Sequence, residues 1–101
     1  MISRKDFVFT IGYDGATAVV DGNLKRRFGL LSTDQLAAKG LFKQALCSAV
    51  YEDGGEGEGP RRVLEQYNAR AEHKLAHVEE LKRMFGVFEV PQGITRVLVV
   101  G

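Results

Sequence analysis

The tract EDGGEGEGP, residues 52–60, sets four glycines, four acidic residues and a proline in the middle of the chain. A helix cannot run through it. Gly54 and Gly55 suit a helix end, and Pro60 suits the first position of the next helix. The helical middle of the sequence must therefore be two helices. The tract does not have the chemistry of a ligand loop. A calcium loop needs oxygen ligands at defined positions over about twelve residues, closed by a bidentate Glu. A phosphate loop needs Gly followed by Lys-Ser or Lys-Thr at a helix start. Neither spacing is present, so residues 54–59 are expected to be a flexible helix-helix linker within one globular domain, residues 1–101.

On the N-terminal side of the tract, Ser32 stands three residues before Gln35, which is a capping box. The helix it opens runs to Glu52. Leu36, Ala38, Leu41, Phe42, Ala45, Leu46, Cys47, Ala49 and Val50 cover most of its circumference, so it is expected to be largely buried. Gly40 weakens it by about 1 kcal/mol relative to Ala and is expected to permit a close contact. QLAAKGLFKQAL has a faint likeness to a helix-turn-helix. The Ala-to-Gly spacing is too short for that motif, and the helical pattern continues without a turn. On the other side, Leu64, Tyr67, Ala71, Leu75, Val78, Leu81 and Phe85 recur at steps of three and four. They predict one long charged helix from Pro60 to Phe85, closed by Gly86.

The ends of the sequence read as strands. FVFTIGYDGATAVVDG predicts a β-hairpin turning at Asp14-Gly15, with Tyr13 opposite Ala16. Phe7, Phe9, Ile11, Tyr13, Ala16, Ala18 and Val20 then share the core face. Val8, Thr10, Gly12, Thr17, Val19 and Asp21 share the other. VFEV, PQG and ITRVLVV predict a second hairpin whose last strand, apolar on both faces, is central in its sheet. The expected fold is α+β in the order ββααββ: a two-layer sandwich, mainly antiparallel, with a helix pair on one face.

Composition excludes several classes. The 101 residues make a chain of ordinary single-domain size, and the formal net charge of +1 makes it neither a nucleic-acid magnet nor an acidic tail. The single cysteine, Cys47, forbids an intrachain disulfide. No apolar run approaches the about 20 residues of a membrane span, and the first residues do not have the pattern of a signal peptide. No membrane is expected, and the cytoplasm is the expected compartment.

Three sets of residues carry the site chemistry. Lys25, Arg26 and Arg27 beside Phe28 pair basic side chains with an aromatic, as single-stranded nucleic acid requires; Arg61 and Arg62 extend the set if the fold brings them near. The plainer reading of such a run is a solvated loop, or one that pairs with the acidic linker. His73, His77 and Glu80 lie on one side of the predicted long helix and are the residues best spaced to hold a metal, although HExxH is absent and two solvent-exposed histidines are the plainer explanation. Cys47 lies near a helix C-terminus, where a thiolate is disfavoured, and reads as a small core side chain. No motif supports a nucleophile with its base or a dinucleotide loop, so catalysis is not expected and no cofactor is assigned. The half-apolar second face of the sheet is more informative. Val8, Val19, Val97 and Val99 are expected to lie there, and one helix layer leaves them uncovered. The leading expectation is therefore a protein that works by binding, as a homodimer or with another protein partner. A nucleic-acid binder is the alternative, and a small enzyme or metal-binding protein the second.

Overall fold

Ser3 begins the first helix by accepting a hydrogen bond from the Asp6 N–H at 3.2 Å. The resulting helix α1 (Arg4–Val8) is the first departure from the expected hairpin. The computed structural model describes residues 2–54 and 57–101. The protein is α+β and divides into two compact units, residues 1–30 with 90–101, and residues 31–89.

The first unit contains α1, strands β1 (Thr10–Asp14) and β2 (Thr17–Asp21), helix α2 (Gly22–Phe28) and strand β3 (Arg96–Val100). β1 and β2 form the expected hairpin. Its central residues are Gly15 and Ala16 rather than Asp14 and Gly15, so Tyr13 opposes Ala18. Gly15, with a φ of 59°, supplies the positive angle that a tight hairpin turn needs at its first central position. The two-residue register shift keeps Tyr13 on the face of Ala18. Ile11 is different, because a bulge between Thr10 and Gly12 inserts it as an extra residue. One inserted residue exchanges the faces of everything before it. Ile11 is therefore 58% exposed, and Thr10 is buried in its place.

β3 pairs parallel with β2, in the order β1-β2-β3. The sheet is mixed and three-stranded. β2 is the central strand and β3 an edge strand, which corrects the expectation of a central last strand. The expected partner VFEV forms no strand, so the second hairpin and the ββααββ order are not realised.

The second unit is helical: α3 (Thr33–Ala38), α4 (Phe42–Asp53), α5 (Glu58–Asn68) and α6 (Val78–Phe85). The Ser32–Gln35 capping box is present. The expected first helix breaks at Gly40, whose φ of 79° is outside the helical region. The Gly40 N–H donates to the Ala37 oxygen and the Leu41 N–H to the Leu36 oxygen, a glycine-terminated helix end. A turn therefore does separate α3 from α4. All of residues 45–50 in α4 are buried. Six consecutive residues point in every direction around a helix, so the middle of α4 is enclosed, as its apolar circumference implies.

The glycine tract joins α4 to α5. Gly55 and Glu56 of the expected linker lie outside the described residues. Gly54 ends α4 with a φ of 78°, and Gly57 is the N-cap of α5. The Asp53 carboxylate accepts from the Gly59 N–H at 2.8 Å. A Cβ on Gly57 would lie 2.7 Å from the Asp53 Cβ and 2.8 Å from its oxygen. At Gly57 the side chain is excluded by packing.

The expected long helix is interrupted between Asn68 and Val78. Asn68 holds the interruption: its Nδ2 donates to the Leu75 oxygen at 2.8 Å, and its Oδ1 accepts from the Leu75 N–H at 2.9 Å. The apolar stripe still packs. Tyr67 meets Phe42 and Phe85 edge to face, at ring-centroid distances of 5.5 and 6.3 Å.

Candidate functional site

The residues of the basic run lie on α2, in its last turn, where positive charge opposes the negative end of the helix dipole. Each has a partner within the chain. Lys25 Nζ is 2.6 Å from the Asp6 carboxylate. Arg26 Nη2 donates to the Gly101 oxygen at 2.8 Å. The Arg27 guanidinium sits 5.0 Å from the Phe28 ring centroid. Lys25 and Arg26 line a shallow hollow with Lys5, Gly22, Gly29, Leu30 and Val99. Arg61 and Arg62 belong to the other unit, where Arg61 faces Glu58 at 3.7 Å and Arg62 faces Asp34 at 3.3 Å. None of these partners of Lys25, Arg26 and Arg27 belongs to the glycine tract, and the run lies on a helix rather than in a loop.

The expected metal set rested on one helix face, and the break in that helix removes it. His73 is in the connection after α5, beside Phe42, Tyr67, Arg70 and Glu72. His77 is the N-cap of α6. Glu80 serves that helix end, with Oε1 accepting from the Ala76 and His77 N–H groups at 3.2 and 3.1 Å. Among the described residues, no group of three His, Cys, Asp or Glu side chains is placed to hold a metal ion.

Sequence reading missed a buried hydroxyl network. Ser48 is fully buried, lies 2.7 Å from the Thr33 hydroxyl, and donates to Glu52 at 3.3 Å; Thr33 also donates to Glu52, at 2.8 Å. It ties α3 to α4. No imidazole joins it, so the serine has no base to activate it. Cys47 is buried, and burial pushes its thiol up to about 12, against a smaller opposing pull from Lys43. A buried thiol that keeps its proton is a poor nucleophile at neutral pH.

The expected apolar interface is rearranged. Val8 is on α1 and fully buried within the chain, so it is withdrawn. Val97 opposes Ala18 and Val99 opposes Val20, whereas Val19 opposes Leu98. Val19 is therefore on the face opposite to Val97 and Val99, and no sheet face carries the full set. Four exposed apolar residues are instead consecutive along β3: Val97 40%, Leu98 54%, Val99 48% and Val100 39% exposed. Both faces of this apolar strand reach solvent, and among the described residues no strand pairs with its outer edge.

The backbone of that edge can be assigned. The Asp21 N–H donates to the Phe9 oxygen, so the odd-numbered residues of β2 direct their amides to β1 and the even-numbered ones to β3. The Arg96 N–H donates to the Ala16 oxygen, so in β3 the even-numbered residues face β2. The N–H and C=O groups of Val97 and Val99 therefore point outward. An edge of this kind is a template for another strand, and proteins usually blunt it with a bulge, proline, lysine or covering segment. β1, the other edge, carries the bulge at Ile11. β3 has none of these within it, only Arg96 at its start. Among the described residues, no helix is long and apolar enough to cross a membrane. The chain matches no family model, no curated protein and no solved structure.

Proposed function

We propose that this protein works by binding rather than by catalysis, adding an extended protein strand to the free edge of β3. The observation that carries this reading is the coincidence of two features on one strand. Four consecutive apolar side chains are about half exposed, and the Val97 and Val99 amides face outward. Strand addition uses both, with main-chain hydrogen bonds giving affinity and alternate side chains giving selectivity. Fully burying a Val or Leu is worth about 1.5–3 kcal/mol, and these four are only half buried already. A strand at this edge covers only the flanks of these side chains and contributes at most a few kcal/mol, and the hydrogen bonds add about 1 kcal/mol each. Against the loss of translational and rotational freedom on association, that predicts a weak and reversible interaction. The cytoplasm is the compartment proposed for it.

The test exploits the direction of the amides. Proline is tolerated on an edge strand where its missing N–H would have faced solvent. Val97→Pro should leave the melting temperature within a few degrees of the parent and abolish association in sedimentation velocity. Leu98→Pro should unfold the first unit, because its N–H is directed at β2. Equal association by Val97→Pro and the parent would refute the edge as the binding site.

A further inference from the structure

We infer that the strand accepted by β3 is β3 of a second copy, running antiparallel and centred on Leu98, which makes one continuous six-stranded sheet. This rests on the edge-binding reading above and names its partner. The register of the strand supports a second copy. A two-fold axis perpendicular to the sheet places Leu98 opposite Leu98 of the second copy. Val97 then opposes Val99, and Arg96 opposes Val100. In an antiparallel pair, opposed residues alternate between those that exchange two hydrogen bonds and those that exchange none. The Val97 and Val99 amides are the ones that point outward. Each Val97–Val99 pair therefore falls at a hydrogen-bonded position, and Leu98 at the central non-bonded one. Every outward group within this register finds a partner.

The side chains agree with the backbone. A perpendicular two-fold axis keeps each face of one sheet on the same side as its equivalent in the other. Val97 and Val99 of the two copies then form a single apolar row on the face of Ala18 and Val20. The Leu98 side chains meet on the opposite face, next to Val19. No acidic or basic side chain lies among the three central pairs, so neither like-charge repulsion nor charge burial opposes the contact. A register displaced by one residue would direct the Val97 and Val99 amides at positions whose own amides face inward. An isologous contact of this kind closes on itself as a dimer and does not propagate.

Non-bonded antiparallel pairs bring their Cα atoms to about 4.5 Å, within the range a disulfide spans. The experiment uses the full chain with Leu98→Cys, Val97→Cys or Val99→Cys, leaving the buried Cys47 in place and the unmodified protein as the blank. Mass is measured by sedimentation velocity up to 300 µM, and each variant is then oxidised with a glutathione couple. The expected result is a dimer at the upper concentrations and covalent dimer from Leu98→Cys at least tenfold faster than from the other two. A monomer across the whole range, or equal cross-linking at all three positions, overturns the proposal. A separate arm adds a synthetic peptide of residues 94–101 and follows amide exchange. If the chain stays monomeric while the peptide protects the Val97 and Val99 amides, the second copy is wrong and the edge reading holds. If neither produces protection, both fall.

Discussion

Cys47 and Gly57 each turn a local packing fact into a measurable property. The folded thiol of Cys47 is raised from 9.0 to about 12 by burial. Below pH 9 both folded and unfolded thiols keep their proton, and folding is indifferent to it. Between pH 9 and 12 the unfolded chain releases the proton and the folded chain retains it, so stability is lost as pH rises. The slope approaches 1.36 kcal/mol per pH unit and levels off near the folded value. Urea denaturation from pH 8 to 11 should show this decline, and Cys47→Ala should flatten it; an unchanged slope in the variant would assign the decline to other groups. Gly57 is limited by space, because its Cβ would strike Asp53. Gly54 has nothing within 4 Å of its Cβ position but a φ of 78°. Gly57→Ala should therefore destabilise by about 1–3 kcal/mol, as overpacking does, and Gly54→Ala by about 1–3 kcal/mol, the cost of a strained backbone at positive φ. The two should also respond differently to Asp53→Gly, which leaves the Gly54 penalty intact and relieves part of that at Gly57.

At the scale of elements, the sequence was legible where one local signal acted alone. The Ser32–Gln35 cap, the helix stop at Gly86 and the apolar circumference of α4 all led to the observed structure. The failures occurred where a short-range interaction outweighed a longer pattern. Ser3 and Asp6 cap a five-residue helix that takes Phe7 and Val8 out of the strand; two adjacent buried side chains fit a helix end and not a two-residue alternation. The bulge at Ile11 is invisible to any period. The stripe from Leu64 to Phe85 is continuous in sequence, yet Asn68 ends the helix by bonding both backbone groups of Leu75. That clamp is testable. Asn68→Ala should cost about 1–3 kcal/mol, since it leaves partly buried backbone groups without partners, and should speed Leu75 amide exchange. Asn68→Asp keeps the acceptor, loses the donor, and should fall between. A neutral Asn68→Ala would show that the connection is held by packing of Tyr67 against Phe85 instead. The candidate site was legible in part for the same reason. The apolarity of residues 97–100 was plain in the sequence, but it cannot distinguish a strand buried between two neighbours from one exposed at an edge.

For the whole molecule, the order of the chain sets the order of folding. The helical unit is one continuous segment, and the β1-β2 hairpin is local. The β2-β3 pairing is not: it joins Thr17 to Arg96 and Asp21 to Val100, with the entire helical unit between them in sequence. Closing a long loop must precede any contact that rewards it, so non-local strand pairing is slow relative to local structure. During refolding, the amides of Leu46 and Val50 in α4 should gain protection first. Those of Val20 and Leu98, which bridge β2 and β3, should follow in a later phase. Until then the apolar residues of β3 have neither β2 on one side nor a partner strand on the other, so refolding at high concentration should favour association of unfinished chains. Pulse-labelling hydrogen exchange reads this directly. Val97→Lys, which blunts the edge, should suppress concentration-dependent loss of refolding yield while leaving the α4 phase unchanged. Simultaneous protection of Leu46 and Leu98 would mean that loop closure does not limit this fold.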